Sequence, residues 1–484
     1  ICRPITANTF FEKKGKLKMK RREFLYKSTL ASAAAVTLGT QIGLTRPVHA
    51  QSANDRIRIG VIGAGGMGSG DARAASHHGE IVAIADADLN HAEALKKHFG
   101  GKPLVYQDYR KLLEHKDIDV IIQGTPDHWH TKINVDSFRA GKDVYGEKPV
   151  TLTIDEGKLL CKTVKAEKRV FQTGTQQRSD KKFQTAIELV RNGRIGKLKR
   201  VLVALPYYSS WGGPFPSDGI AVPKELDWDL YQGQAPTKPY IPQRTHQIFR
   251  WWYEYAGGMV TDWGNHHMDI AHWGMDMDNS GPLSVEARAI FPNEGKPDCF
   301  NTPDRFYATL QYPNDIELIF YTVFAEKPGF FGSTGHQETS KEQLEWLFGK
   351  NPPIEVTGDE NNKPNERNGI MFIGDKGRLF VNRGNVYGKP YEELKENPLP
   401  DNAWKTRPST NHMKNFFDCV RSRETPVASA DVEHHSIIPC HLTNISIKLN
   451  GRKINWDATK EEITNDKEAN SMLSREQRKQ YQVS

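Results

Sequence analysis

The stretch that decides the fold is RIRIGVIGAGGMG, residues 56–68 of a 484-residue chain. Its first half alternates and then becomes continuously apolar, which predicts a buried β-strand. The strand passes directly into the glycine pattern G-x-G-x-x-G, and a helical pattern follows. A second apolar strand, IVAIA at 81–85, ends at Asp86, 23 residues after Gly63. Strand, glycine turn, helix, strand and terminal acid in this order are typical of a dinucleotide-binding unit.

The chemistry of a dinucleotide explains each part of this pattern. Gly63 permits the tight turn, Gly65 lets a pyrophosphate approach the backbone, and Gly68 lets the helix pack on the strand. Free N–H groups at the start of the helix face the phosphates. Asp86 would accept hydrogen bonds from ribose hydroxyls and repel a 2′-phosphate, so NAD is the predicted cofactor and NADP is disfavoured. The predicted contacts here are Gly63, Gly65, Gly66, Met67, Gly68 and Asp86.

Two further loops follow strands of the same predicted sheet. Strands near 120–122, 143–145 and 171–174 alternate with helices, which predicts a doubly wound parallel sheet within a domain over 51–175. The loop TPDH at 125–128 follows one strand and precedes a helix predicted over 131–140, and EKP at 147–149 follows the next strand. Open α/β sheets bind ligands at this carboxyl edge. We therefore predict that Thr125, Pro126, His128, Glu147 and Lys148 contact the cofactor.

A second α/β domain is predicted over 176–460, with a polar tail over 461–484. Its strands are expected at 198–205, 285–291, 306–312, 316–323, 370–373 and 378–381, and its closing helices at 412–421 and 432–449. Residues 326–368 are rich in Gly, Pro, Asn and charge, which indicates a surface insertion. An aromatic, Gly- and Pro-rich stretch over 207–253 either lines a sugar pocket or packs on itself.

Four motifs together resemble the Gfo/Idh/MocA oxidoreductase family. They are the glycine turn, the Thr-Pro-x-His loop, Glu147-Lys148-Pro149 and DWGNH at 262–266. The resemblance runs from about residue 56 to about residue 460. It implies a Rossmann domain followed by an α/β domain with a large, mainly antiparallel open sheet, which holds the substrate and forms a homo-oligomer. It also implies that Lys148, Asp262 and His266 are the active-site lysine, aspartate and histidine. The histidine-bearing motif of the family's glycosidase branch is not matched.

The same three residues suit the oxidation of a secondary alcohol on chemical grounds. Lys148 can donate to the developing alkoxide, and His266 titrates near neutrality, which suits a base. Asp262 precedes His266 by four residues, so the two share a face if this stretch is helical. Asp262 either binds substrate or holds the Lys148 ammonium. We predict that Lys148, Arg250, Asp262 and His266 contact a carbohydrate or polyol substrate.

The run HHMD at 266–269 raises the alternative of a metal site, because Asp262 and His266 also have the spacing of metal ligands. No third ligand is obvious, and hydride transfer does not require a metal. No metal is predicted.

A secretory leader is predicted over 19–50. KRREFL at 20–25 precedes an apolar, Ala-rich run and a small-residue site at 48–50, which resembles a twin-arginine signal and predicts export to the periplasm. Residues 1–18 contain no Met and are interpreted as a non-native or miscalled extension before Met19. Residues 1–50 also carry ten Lys and Arg against two acids, and the remainder has 56 basic and 57 acidic residues. This balance argues against a nucleic-acid partner, and no membrane span follows the leader.

These observations predict an exported NAD-dependent oxidoreductase that transfers hydride between a sugar, inositol or glycoside hydroxyl and tightly bound NAD. One alternative keeps the NAD but cleaves a glycosidic bond through a transient keto-sugar. A second alternative is a non-catalytic NAD-binding protein.

Overall fold

Strand Ile57–Ile62 lies in the middle of a six-stranded sheet in the computed structural model, which describes residues 56–323, 335, 338–349 and 368–484. In chain order its strands are β1 (Ile57–Ile62), β2 (Gly79–Ala85), β3 (Leu104–Tyr106), β4 (Val120–Gln123), β5 (Asp143–Gly146) and β6 (Phe171–Thr173). They pair in parallel in the order β3-β2-β1-β4-β5-β6. Every residue of β4 and β5 is buried, as expected for strands covered by helices on both faces.

Five helices connect these strands: α1 (Gly66–Ala75), α2 (Leu89–His98), α3 (Tyr109–Leu113), α4 (Asp127–Arg139) and α5 (Ile154–Ala166). The side chains of Asp88, Asp108 and Thr153 cap α2, α3 and α5 by accepting first-turn N–H groups. The sequence pattern predicted a helix from residue 131, and this start is wrong. Pro126 is extended and the helix begins directly after it, at Asp127, so His128 belongs to the helix rather than to a loop.

The second sheet has nine strands and follows the first along the chain. They are β7 (Leu198–Leu205), β8 (Ser284–Ile290), β9 (Arg305–Tyr312), β10 (Ile316–Thr322), β11 (Gly369–Gly374), β12 (Arg378–Val381), β13 (Val386–Tyr387), β14 (Ile454–Asp457) and β15 (Glu462–Ile463). Their order is β13-β12-β11-β7-β10-β9-β8-β14-β15, and only β7 and β10 pair in parallel. The predicted fold class, a doubly wound domain and a mainly antiparallel one, is confirmed.

Two long helices join the sheets into one hydrophobic core. The described helices of this half are α6 (Lys181–Arg191), α7 (Trp228–Gln232), α8 (Met259–Met275), α9 (Lys341–Phe348), α10 (Lys389–Glu392), α11 (His412–Ser422), α12 (Ala430–Lys448) and α13 (Lys467–Ser471). Helices α8 and α12 are buried along most of their length and pack on each other, and α12 also packs on α5. One buried cluster therefore extends from the first sheet into the second. Within the described ranges, no helix combines the length and the apolar character needed to cross a membrane.

Several predicted segments fall partly or wholly outside the described residues. The extension over 1–18, the signal peptide over 19–50 and most of the insertion over 326–368 are among them. The described part of the insertion contains α9, which begins at a capping box formed by Ser340 and Gln343. The polar tail docks on the body: Arg478 Nε donates to the Gly233 carbonyl at 2.7 Å, and Tyr481 Oη donates to Asp229 at 2.8 Å.

The glycine turn brings three backbone segments into direct contact. A Cβ on Gly68 would lie 1.9 Å from the Gly63 carbonyl oxygen, and one on Gly124 would lie 2.4 Å from the Gly68 Cα. Gly63 has a φ of +84°, which only glycine adopts without strain. The absence of these side chains lets α1 pack against the ends of β1 and β4.

Substitution of Gly68 by Ala should destabilise the protein by roughly 2–4 kcal/mol, because the new methyl group meets backbone that cannot move aside. Gly70→Ala in the same helix is the matched control, since a Cβ there meets nothing within 4 Å. It should be neutral or stabilising by about 0.5–1 kcal/mol. Urea denaturation of both variants measures the difference, and equal effects would contradict this account of the turn.

Candidate active site

A cavity of about 580 Å³ opens at the carboxyl ends of β1, β2, β4 and β5. Of the predicted residues, it is lined by Gly63, Gly65, Gly66, Met67, Asp86, Thr125, Pro126, Glu147, Lys148 and Arg250. Gly68 does not line it and instead packs beneath the turn. No side chain caps α1, so the first N–H groups of that helix are open to a phosphate. These features fit the adenosine and pyrophosphate of a dinucleotide.

Asp86 lies where a ribose-binding carboxylate is expected, directly after β2. Its Oδ2 accepts from the Ala64 N–H at 2.7 Å and its Oδ1 from the Asp88 N–H at 2.9 Å. These two bonds fix the carboxylate at the edge of the cavity. His91 Nδ1 lies 3.6 Å from Asp86 Oδ2, and this neighbour raises the pKa of His91.

The placement of His128 as a cofactor contact is corrected by the structure. Since α4 begins at Asp127, the His128 ring turns into the protein, where it is 1% exposed and its Nε2 lies 2.9 Å from the Tyr231 carbonyl oxygen. The histidine that supports the site is His130, two positions further along the helix. Its ring nitrogens lie 2.6 Å from the Pro149 carbonyl oxygen and 2.8 Å from that of Thr125. His130 therefore joins the two loops that were predicted separately.

The centre of the site is a buried ion pair between the two domains. Lys148 Nζ donates to Asp262 Oδ1 at 2.6 Å and also to the Asp262 carbonyl oxygen at 3.2 Å. Arg250 Nε donates to the same Oδ1 at 3.3 Å. Although burial alone would raise it, the pKa of Asp262 is held well below its usual range by the charges of Lys148 and Arg250. Of the two roles left open for Asp262, the structure shows that it holds the Lys148 ammonium.

His266 lies one turn after Asp262 on α8, so the predicted helical spacing is confirmed. The expectation that His266 titrates near neutrality is wrong. Burial lowers its pKa well below the usual value, and the positive charges of Lys148 and Arg383 lower it further. His266 is therefore neutral at physiological pH. Its Nδ1 is buried and has no hydrogen-bond partner among the described residues.

One carboxyl group near Lys148, that of Asp127, favours its neutral form. Asp127 is 4% exposed, and its Oδ2 has no partner within the described part of the chain. Burial, with the nearby charge of Asp262, raises the pKa of Asp127 to about 8. Burial also raises the pKa of Glu147, whose Oε1 occupies the space that a Cβ on Gly174 would need. Of these acids, Asp262 is the one whose carboxylate contacts the Lys148 ammonium directly.

The run at 266–269 does not converge on one point. His267 Nε2 lies 2.7 Å from Asn368 Oδ1, while Asp269 accepts a hydrogen bond from Arg178. Elsewhere in the described ranges, one group of three side chains has ligand-type atoms within 4.8 Å of one another: Asp88, His91 and His246. It lies beside Asp86 and apart from the Lys148 ion pair, so His246 faces the cofactor cavity rather than the substrate.

Residues 225–250, here called the strap, cover the cavity from the second domain. The Asp227 N–H donates to the Ala87 carbonyl at 2.9 Å, and the Leu89 N–H donates to the Glu225 carbonyl at 3.0 Å. The strap contributes Leu230, Tyr231, His246, Gln247, Ile248, Phe249 and Arg250 to the cavity wall. The following aromatics Trp251, Trp252 and Tyr255 are buried together. The interpretation that this stretch packs on itself holds for these aromatics. The part of the stretch that reaches the cavity lines the predicted cofactor site, and a sugar pocket stays a prediction.

Sequence reasoning missed four residues near the ion pair: Asp127, His130, Tyr208 and Arg383. Asp127 and His130 follow the Thr-Pro dipeptide. A helix predicted to begin directly after Pro126 would have placed both residues in its first turn, next to the site. Tyr208 and Arg383 interact electrostatically with Asp262 but come from distant loops, and no local pattern marks them.

Comparison with known families gives matches over both domains. A family model described as "Oxidoreductase family, NAD-binding Rossmann fold" matches residues 57–175. A second, described as "Oxidoreductase family, C-terminal alpha/beta domain", matches residues 182–321 and 356–483.

Two relatives illustrate the range of activities among similar proteins. A glycosyl hydrolase family 109 protein from Shewanella pealeana is 28% identical over 204 residues, which are 38% of this chain and 45% of that protein. An inositol 2-dehydrogenase from Rhizobium meliloti is 30% identical over 149 residues, 30% of this chain and 44% of that protein. The chain thus spans about half the length of these curated relatives.

A solved structure matches nearly the whole fold. The myo-inositol dehydrogenase of Lactobacillus casei, in complex with NAD(H) and myo-inositol, superposes with a TM-score of 0.52 at 18% identity. The match covers 83% of this chain and 97% of that one. At this identity the likeness shows the fold alone.

Replacement of Asp127 by Asn should stabilise the protein increasingly as pH rises. In the unfolded chain the carboxyl ionises from about pH 4, whereas in the folded protein its pKa is about 8. The stability it contributes is complete below the unfolded pKa and is lost as pH rises towards 8. Asn cannot ionise, so the difference in free energy of unfolding should grow by a few kcal/mol between pH 4.5 and pH 8.

Urea denaturation at several pH values measures this trend. Asp401→Asn, at an exposed position, is the control and should show little change. A difference for Asp127→Asn that does not vary with pH would contradict the assignment of a neutral acid.

Proposed function

Because the chain belongs to the Gfo/Idh/MocA oxidoreductase family, we propose that it oxidises or reduces a secondary hydroxyl of a sugar, inositol or glycoside. The observation that carries this proposal is the Lys148–Asp262 ion pair beside neutral His266, at the end of a cavity that fits NAD. The inositol dehydrogenases among its relatives support the polyol class of substrate.

Different side chains of the site have different roles in the proposed oxidation of the alcohol. Bound NAD supplies the hydride acceptor. The Lys148 ammonium donates to the reacting oxygen and favours its negative charge. Asp262 holds the ammonium in place, and Arg250 in turn donates to Asp262. His266 is neutral with an unpartnered buried nitrogen, so it is ready to accept the hydroxyl proton. In the reducing direction the same groups return the proton.

We further propose that NAD is held tightly and is recycled by a second substrate rather than exchanged. The strap closes one side of the cavity by backbone hydrogen bonds to the segment after β2. The tail in turn fastens the strap, because Arg478 and Tyr481 bind Asp229 and Gly233. A cofactor enclosed in this way leaves only when these contacts open.

A redox-neutral glycosidase is the second candidate, favoured by the similarity to a glycosyl hydrolase family 109 protein. Oxidation of one hydroxyl to a ketone acidifies the neighbouring C–H bond, which allows a glycosidic bond to leave by elimination. Release of a chromogenic aglycone without net NADH formation separates this reaction from simple oxidation.

Export is proposed from the sequence of residues 20–50, with its paired arginines, apolar run and cleavage site. The twin-arginine route carries folded proteins, so it suits an enzyme that acquires NAD before leaving the cytoplasm. A variant with Arg21→Lys and Arg22→Lys should remain cytoplasmic in cell fractionation, and periplasmic recovery of that variant would contradict the proposal.

The first measurement is the cofactor content of protein purified without added nucleotide. After denaturation the supernatant should contain close to one NAD or NADH per chain, and little NADP. An empty protein, or one that loses NAD on simple dialysis, would refute tight retention and point to an ordinary dissociable dehydrogenase.

Lys148→Ala should lower kcat/KM by about 10³-fold, because the developing oxyanion loses its donor. The NAD content is measured in the same samples, because Lys148 also lines the cofactor cavity and loss of NAD would itself lower the activity. Lys111→Ala is the matched control, because that lysine is 63% exposed on α3. Full activity of the Lys148 variant would contradict its proposed role as the donor, whereas no activity of the unaltered protein on any sugar or polyol would support the non-catalytic alternative.

A further inference from the structure

Arg383 lies in the turn between β12 and β13 and faces the candidate active site. Its guanidinium stacks over the Trp263 ring at 4.8 Å, and Trp263 directly follows Asp262 on α8. Its Nε donates to Gln177 Oε1 at 3.2 Å, and Gln177 Nε2 donates to the His266 carbonyl at 3.0 Å. Arg383 is thus tied to the backbone of the histidine that we propose as the base.

The turn that carries Arg383 is itself fixed to the site. Asn382 Oδ1 accepts from the Gly384 and Asn385 N–H groups, which closes the turn. Asn382 Nδ2 also donates to the Asn368 carbonyl, and the side chain of Asn368 bonds His267 on α8. The guanidinium is therefore preorganised, although the residue is exposed.

The terminal nitrogens of Arg383 have no acceptor among the described residues. No carboxylate of those residues lies within 4.0 Å of it. Asp180 and Asp262 are near enough to act on its charge, but Asp180 caps α6 and pairs with Lys182, and Asp262 is shared by Lys148 and Arg250. A stacked guanidinium with free planar N–H groups is the arrangement that binds carboxylates and phosphates bidentately.

The balance of charges in the site also favours an anionic ligand. Three cations, Lys148, Arg250 and Arg383, surround the ionised carboxylate of Asp262. The carboxyl group of Asp127 is buried with an oxygen that lacks a partner among the described residues, which favours its neutral form. Glu147 also acts on the charge of Arg383, and with Glu147 counted as ionised the three cations still outnumber the two carboxylates. The described part of the site is therefore positive, and it suits an anionic substrate better than a neutral polyol.

We propose that the substrate is a sugar or polyol that carries an anionic group, a carboxylate or a phosphate. That group binds the terminal N–H groups of Arg383 while the reacting hydroxyl lies between Lys148 and His266. The inference rests on the proposed function and narrows its substrate class.

The test compares acidic and neutral ligands on the NAD-containing protein. The probes are D-glucuronate, D-galacturonate, D-glucose 6-phosphate, D-glucose, D-galactose and myo-inositol. Binding is measured by calorimetry and by quenching of tryptophan fluorescence, to which Trp263 contributes under the guanidinium. NADH formation is followed in the same samples. At least one acid should bind about tenfold or more tightly than its neutral counterpart.

Arg383→Gln should weaken binding of the preferred acid by about 10–100-fold more than it weakens binding of the neutral sugars. Arg378→Gln is the matched control, because this exposed arginine is the first residue of β12, the strand that leads into the turn with Arg383. A preference for uronates over glucose 6-phosphate identifies the anion as a carboxylate, and the reverse preference identifies a phosphate.

The outcomes separate this inference from the proposed function. Oxidation of neutral polyols with no acid preference would overturn the inference and leave the dehydrogenase intact. Arg383-dependent binding of acids without any NADH formation would support the anion site and count against the dehydrogenase. An equal effect of Arg383→Gln on acidic and neutral ligands, or no acid binding at millimolar concentration, would also overturn the inference.

Discussion

The ion pair between Lys148 and Asp262 is the interaction on which the rest of the structure depends. One partner follows β5 of the first sheet, and the other lies in the first turn of α8 under the second sheet. Both side chains are largely removed from water, so each charge depends on the other. Loss of one partner from such a pair typically costs roughly 3–5 kcal/mol, because the other charge is left buried. The pair therefore fixes the loop after β5 to α8, and with it the distance between the cavity and His266.

Around this pair, burial acts in opposite directions on different groups. It keeps His266 and Asp127 uncharged, whereas Asp262 stays ionised because two cations contact it. His266, which can accept a proton, and Asp127, which holds one, therefore lie in the same site, and both are uncharged. This separation of protonation states is a common way for a protein to prepare acid and base groups at one pH.

Local patterns in the sequence were enough to predict the fold and part of the candidate site. The glycine turn, Asp86, the two loops and the i, i+4 spacing of Asp262 and His266 are short-range signals, and the structure places most of these residues around one cavity. The prediction for His128 was wrong because the helix begins four residues earlier than predicted. The His128 ring therefore points into the core and not into the cavity. The protonation of His266 was misjudged because burial and distant charges set it. Arg383 and the strap reach the site only through tertiary structure, which no local spacing encodes. The catalytic roles themselves stay predictions.

The docking of the tail on the strap has a consequence for synthesis. The glycine turn emerges from the ribosome early, but the strap that walls the cavity is fastened by residues 478–481, which are translated long afterwards. A nascent chain can therefore form the phosphate-binding turn without being able to enclose its ligand. Enclosure of the cavity is therefore a post-translational event, because it requires the last residues of the completed polypeptide.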